Sequence, residues 1–315
     1  MCQKTEAKEA VMSRVGILSA LTAAAALVLG AGSASAQVTQ AGGCRLVIET
    51  AADEWLLRYD PFDQDAAQQT FDLAVVNQGD APCAARSRVD LRGEAFGLAR
   101  VEGGGRLDYA LVEERAGVEV TPRAGVSARR MGGRMLNLAP GERGLLRFSL
   151  ATSVSEVVAA GRYTQHAVVN LETEDGQSLA ERPVALTVEI PRVAVMGLKG
   201  EFQRSGGMAT IDLGELKEGV RPLRTTLYVL STSGYAVSVT SQNNGRLRQG
   251  ASGWYISYGL SLGGQSVDLG GGGRLEVASR GPRFDDYPLT LTIGETAGKR
   301  AGDYRDILTF TVAAI

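Results

Sequence analysis

Beyond residue 36 the chain is a succession of short runs in which apolar and polar side chains alternate: CRLVIE, TFDLAVVN, GLLRFSL, HAVVNLE, VALTVEI, TLYVLS, YAVSVTS, YISYGLSL, LTLTIG and DILTFTV. A period of two puts successive side chains on opposite faces of an extended strand. A helix would need apolar residues at three- and four-residue intervals, and almost no segment shows them. Clusters of Gly, Asp, Asn and Pro punctuate the runs at intervals of about 8–12 residues, the pattern of an all-β protein built from β-sandwiches. The 40 glycines suit that many tight turns. With 315 residues, the length predicts two domains.

The first 36 residues stand apart. Arg14 precedes an apolar run from Val15 to Leu29, and Ala34-Ser35-Ala36 stands before Gln37. This is the layout of a secretory signal peptide, with the residues before Met12 as an upstream extension. The run is too short for a comfortable membrane span, and no later stretch reaches the ~20 apolar residues a spanning helix needs. Cleavage removes Cys2 and leaves Cys44 and Cys83. An even pair in an oxidising compartment predicts a disulfide. The alternative, acylation of Cys44 after Ala-Gly-Gly, requires a lipobox against the apolar run, and Cys44 lies well beyond it.

An internal repeat follows. Leu107-Asp-Tyr109-Ala-Leu111 matches Ile256-Ser-Tyr258-Gly-Leu260, and Leu145–Leu150 matches Leu289–Ile293. Ala160-Gly161-Arg162-Tyr163 matches Ala301-Gly302-Asp303-Tyr304. Order and spacing agree, so the expectation is two tandem sandwiches, 37–191 and 192–315, divided where Pro191 ends a strand. In the first copy the Tyr163 strand runs to Leu171, turns at Asp175-Gly176 and returns as Pro183–Ile190, a hairpin. In the second copy the matching strand, read as 301–312, is the last of the sequence. Tyr304, Asp306, Leu308, Phe310 and Val312 share one face of it. Without a neighbour that strand exposes unpaired backbone groups and part of its core, an edge that aggregates unless covered. Addition of a strand from another chain is one way to cover it; pairing within its own domain by an unusual strand order is the other.

Catalytic chemistry has little to work with. His166 is the only histidine and has no nucleophile elbow beside it. No Cys/His spacing suits zinc. Asp60, Asp63 and Asp65 gather in YDPFDQD but lack the spacing of a calcium loop, and read first as a solvated turn. The runs EGGGRLD and LGGGGRLE lack the strand–helix context of a phosphate loop and read as turns. No cofactor or metal is expected. The net charge of -2 and pI near 5.7 argue against a nucleic-acid partner. One basic stretch, RAGVSARRMGGRMLNL, collects Arg123, Arg129, Arg130, Met131, Arg134 and Met135 in a Gly-interrupted loop. It reads either as a contact for an anionic or apolar surface or simply as a solvated loop.

The ending AGDYRDILTFTV resembles the closing strand of spore coat U-type pilin domains of archaic chaperone–usher pili, and YDPFDQDAAQQTFDLAVVNQGDAPC is similar to their early part. The resemblance spans 44–315 in outline, with the last dozen or so residues its specific portion. It implies immunoglobulin-like sandwiches, the second lacking its final strand, and a groove walled by Tyr304, Leu308, Phe310 and Val312. It also implies a periplasmic chaperone that lends a strand, an outer-membrane usher, and a neighbouring pilin subunit whose N-terminal extension replaces the loan. Two-domain members of that family stand at the pilus tip with an adhesive first domain, which implies export to the cell surface and an unidentified receptor. The stretch Gln37–Gly43 is short and weakly apolar, a poor strand to donate, which suits a tip position. The chain departs from the family in having no cysteine in its second half and an A-G-x-Y strand in its first. Two other classes compete: a periplasmic immunoglobulin-like chaperone, for which no basic pair or lendable strand is evident, and a secreted carbohydrate-active protein with carboxylates drawn from distant loops.

Overall fold

A computed structural model of the chain describes residues 43–49, 52–63, 67–123, 134–152 and 157–315. The signal-peptide segment lies outside them. The described residues form strands and turns with no helix, so none is long and apolar enough to cross a membrane. Their apolar side chains collect in two cores, one drawn from Leu46 to Ile190 and one beginning at Leu227, with Ala194, Met196 and Leu198 packed against it.

The first core lies between two sheets. One sheet runs β1 (Leu46–Glu49), β3 (Gln68–Asn77), β10 (Arg143–Ala151), β7 (Ala110–Glu113), β8 (Val118–Glu119). The other runs β2 (Glu54–Arg58), β12 (Ser178–Ile190), β11 (Gly161–Glu172), β4 (Cys83–Asp90), β9 (Leu136–Leu138), with the short β5 (Leu98–Arg100) and β6 (Arg106–Leu107) beside β11. Trp55 fills the space between them, stacked on Phe71 at 5.2 Å and tilted against Phe148 at 5.3 Å. Cys44 and Cys83 are joined in a disulfide that ties the segment before β1 to the first residue of β4 in the opposite sheet.

The second sandwich repeats the plan. Its first sheet runs β13 (Ala194–Gly200), β16 (Gly219–Ser231), β22 (Arg283–Ile293), β19 (Tyr255–Leu262), β18 (Arg246–Arg248), with β20 (Gln265–Val267) on β19. Its second sheet holds β21 (Gly273–Val277), β17 (Tyr235–Ser241) and β23 (Leu308–Ala314). A small hairpin, β14 (Gln203–Ser205) with β15 (Met208–Thr210), stands aside. Strand for strand, β1-β3-β10-β7 corresponds to β13-β16-β22-β19, the four-stranded sheet of an immunoglobulin-like domain. Likewise β9-β4-β11 corresponds to β21-β17-β23. β12 has no counterpart among the described residues, and neither has β2, the strand that pairs parallel to it.

Two boundaries differ from the sequence reading. The closing strand begins at Leu308 rather than 301, because Arg305 makes only an isolated bridge to Arg248 and the residues before it form a corner. The return strand of the hairpin starts at Ser178, earlier than Pro183, and the chain reverses through Thr173–Gln177 with Gly176 at φ 83°. The pairing also slips one repeat match by two residues. Leu150 lies opposite Leu111 and Leu291 opposite Leu260, so Leu150, not Phe148, is the counterpart of Leu291. An even slip keeps every side chain on its own face, so alternation alone could not detect it.

Candidate functional site

The two A-G-x-Y segments build the same local device. Gly161 has φ 144° and Gly302 φ 142°, a region that side chains rarely enter. Each glycine turns the chain so that the tyrosine two residues on reaches back to the carbonyl four residues before itself. Tyr163 Oη donates to Ala159 O at 2.9 Å, and Tyr304 Oη donates to Arg300 O at 2.7 Å. This is the tyrosine corner of immunoglobulin-like sandwiches, and it stands at the head of the corresponding strand in both domains. Aligned on it, Tyr163, Gln165, Ala167, Val169 and Leu171 correspond to Tyr304, Asp306, Leu308, Phe310 and Val312.

The two rows differ in what covers them. All five positions are buried in the first sandwich, with Val169 and Leu171 at 0% exposure. There β11 is hydrogen-bonded on both sides, to β4 and along its whole length to β12. From β12, Val184, Leu186, Val188 and Ile190 are buried in the core, and β2 covers that strand's outer edge. In the second sandwich all five positions are half-exposed. β23 pairs with β17 from Leu308 to Ala314, and its other side pairs with no strand among the described residues. Half of its N–H and C=O groups therefore point away from any ladder.

Across the sandwich, β13 is likewise paired on one side only among the described residues, to β16. β13 and β23 lie against one another, and Ala194, Met196 and Leu198 are half-buried like Leu308, Phe310 and Val312. The result is a slot rimmed by two unpaired strand edges with an apolar floor. In the first sandwich the strand against β1 from the opposite sheet is β12.

Asp306 fixes the head of β23. Its Oδ2 accepts from Ser241 Oγ at 2.5 Å and Tyr258 Oη at 2.6 Å, and its Oδ1 from the Asn243 amide at 3.0 Å. Burial and then the bond to Asp306 push the Tyr258 hydroxyl far above the usual tyrosine range, so it stays a neutral donor. In the first sandwich Gln165 takes the place of Asp306, donating to Ala95 O and accepting from the Gly97 amide. A second, partly buried cluster forms where Tyr235 Oη donates to Asp285 Oδ2 at 2.7 Å and Arg283 pairs with the same carboxylate. Burial alone would raise the Asp285 carboxyl, but the bonds from Arg283 and Tyr235 outweigh it and hold it below its ordinary range.

The far end of the slot abuts the first sandwich. The Ala160 amide donates to Thr232 O at 2.8 Å, and Thr232 Oγ1 donates to Pro191 O and accepts from the Val193 amide. Arg100 reaches both Ala160 O at 2.7 Å and Arg280 O at 3.4 Å. At the same end the Ile315 amide donates to Gly234 O.

The remaining candidate residues are dispersed. Arg123 pairs with Glu119 at 3.1 Å and lies over the Phe96 ring. The Arg134 amide donates to Glu113, and Met135 is half-buried. Arg129, Arg130 and Met131 lie outside the described residues, as does Asp65. Asp60 Oδ1 accepts from the Phe62 amide within a turn. Among the described residues no group of three or more His, Cys, Asp or Glu is placed to hold a metal. His166 is exposed, 3.6 Å from Glu94. Sequence reasoning missed a cleft of about 620 Å³ beside β2 and β3, lined by Leu56, Arg58, Tyr59, Gln68, Glu189 and Pro191 among others. Its walls come from segments far apart in the chain and carry no motif.

No family model matches the sequence. No curated protein matches it either. Among solved structures the chain is similar to the CsuC–CsuE chaperone–tip adhesion subunit pre-assembly complex from the archaic chaperone–usher Csu pili of Acinetobacter baumannii, at 11% identity, TM-score 0.47, and coverage of 86% of this chain and 99% of that one. It is also similar to a chaperone–tip adhesin complex of CFA/I fimbriae biogenesis, at 9% identity, TM-score 0.32, and coverage of 85% and 97%. A third is the CooA pilin subunit of enterotoxigenic Escherichia coli, at 10% identity, TM-score 0.34, and coverage of 47% and 99%. These are likenesses of chain path at low identity.

Proposed function

We propose that this chain is a subunit of a chaperone–usher pilus, of the spore coat U type, exported through the periplasm to the cell surface. Its second sandwich is completed by a strand supplied in trans, first by a periplasmic chaperone and then, at the outer-membrane usher, by the N-terminal extension of a neighbouring pilin subunit. The first sandwich, closed by its own β12, is the adhesive domain, and the subunit stands at the pilus tip. Leu308, Phe310 and Val312 with Tyr304 form the wall against which the lent strand packs.

One observation carries this reading: equivalent rows headed by Tyr163 and Tyr304 are sealed by β12 in one sandwich and left half-exposed in the other. An unpaired edge beside exposed apolar side chains is a template for strand addition. The reading predicts that the chain expressed alone aggregates, and that coexpression with a cognate chaperone yields a soluble one-to-one complex. A stable monomer that unfolds cooperatively without any partner would overturn it.

A further inference from the structure

We propose that the strand completing the second sandwich presents a carboxylate opposite Arg305. The inference rests on the proposed completion in trans and concerns the chemistry of the partner.

Arg248 and Arg305 form an antiparallel bridge in which each amide donates to the other's carbonyl at 2.9 Å. Residues directly opposite one another carry their side chains on the same face. Two arginines thus stand side by side, and like charges so placed repel. Among the described residues Arg305 has one carboxylate within 4.0 Å, that of Asp303, and both side chains are almost fully exposed. Arg248 donates to Ser252 O and forms no ion pair among the described residues. More positive charge lies close by, since the Arg246 guanidinium and the Lys299 ammonium sit 4.8 Å and 5.2 Å from the Tyr255 ring. Neither is ion-paired among the described residues. Elsewhere in this sandwich Lys199, Lys217, Arg224, Arg274 and Arg283 each have a carboxylate partner. Arg192, Arg204, Arg221, Arg280 and Arg300 have none among the described residues; the head of β23 is set apart by two arginines held directly opposite one another.

The first sandwich supplies the register. β12 runs antiparallel to β11 with Val188 opposite Tyr163, Thr187 opposite Thr164 and Glu189 opposite Arg162. Transferred on the tyrosine corner, the residue in Val188's place faces Tyr304 and the residue in Thr187's place faces Arg305. That position points away from the core, beside the Arg248–Arg305 row. An Asp or Glu there completes a cation–cation–anion row and relieves the repulsion. The outward charge at the next position is inverted too: Arg162 faces Glu189 in the first sandwich, whereas Asp303 holds the equivalent place in the second. A carboxylate in Glu189's place would therefore be repelled.

The test uses the full chain, refolded with labelled peptides copied from Ser178–Ile190. All carry Gln in Glu189's place, and Asp, Thr or Lys in Thr187's. Binding is read by fluorescence anisotropy. At 50 mM NaCl the Asp peptide is expected to bind about 5- to 10-fold more tightly than the Lys peptide, with Thr between them. At 500 mM NaCl the gap should narrow to within about twofold. The Arg305→Glu chain should reverse the order. Equal binding of all three peptides at low salt would overturn the carboxylate inference and leave strand completion standing. Failure of every peptide to bind would overturn both.

Discussion

Tyr258 Oη donates to Asp306 Oδ2 at 2.6 Å, tying β19 of one sheet to the residue that leads into β23 of the other. The same carboxylate accepts from Ser241 and from the Asn243 amide, so one side chain holds the head of the open strand. Asp306→Ala leaves two hydroxyls without their acceptor and should destabilise the second sandwich by about 2–3 kcal/mol. Denaturant unfolding followed for that domain checks it, and Asp306→Asn should recover part of the loss. An unchanged midpoint would show that the network is dispensable.

Completing the slot within the chain should stabilise it. A copy of residues 173–190 joined to Ile315 by a flexible Gly/Ser linker supplies a β12-like strand to β23. Bringing Leu308, Phe310 and Val312 to full burial, together with the incoming apolar row, is expected to add at least ~3 kcal/mol. Gel filtration should show a monomer where the parent chain aggregates. A fused chain that melts at the parent's temperature would be evidence against the slot.

The two tyrosine corners should respond unequally to loss of the hydroxyl. Tyr163 is buried, and Tyr163→Phe leaves the Ala159 carbonyl short of a donor, at a cost of about 1–1.5 kcal/mol. The Tyr304 bond is exposed, so water replaces it and Tyr304→Phe should cost less than ~0.5 kcal/mol in the open form. With the slot filled, the second cost should rise toward the first. Paired melts of the two variants, with and without the fused strand, measure this directly.

Acid should loosen the second sandwich through Asp285. Its carboxyl is held below the ordinary range once folded, the net of burial opposing stronger bonds from Arg283 and Tyr235. A depressed folded value stabilises above the unfolded pKa of about 4 and is lost as pH falls through the folded value. The midpoint of the second transition should therefore drop below about pH 4. Asp285→Asn should flatten that limb, and an unaltered acid slope would assign the effect to other groups.

Reduction should act on the other domain. The Cys44–Cys83 bridge closes a loop with a sequence separation of 39, for which chain entropy gives about 4 kcal/mol. Dithiothreitol, or Cys83→Ala with Cys44→Ala, should lower the first transition and leave the second in place. Equal movement of both would mean that the sandwiches unfold as one unit.

The sequence made some of this legible and hid the rest, for physical reasons. Alternation exposed the strands because each buries one face, and the A-G-x-Y motif was visible because its corner demands a glycine and a tyrosine at fixed spacing. AGDYRD also alternates and so extends the apparent strand back to 301, while Gly302 and the Asp306 bonds hold it out of the ladder. The role of Asp306 was hidden because its donors, Ser241, Asn243 and Tyr258, come from segments far up the chain. Thr232 carries no signal in the sequence. Ser231-Thr232-Ser233-Gly234 has the composition of a solvated turn, yet Ser231 and Thr232 are wholly buried, and Thr232 bonds across to the neighbouring sandwich.

That buried turn leaves the connection between the sandwiches without slack. Pro191 and Val193 are both bonded to Thr232, and Thr232 is bonded in turn to Ala160, one residue before the corner glycine of the first domain. A pull on either domain is therefore met by these hydrogen bonds before the connection can lengthen.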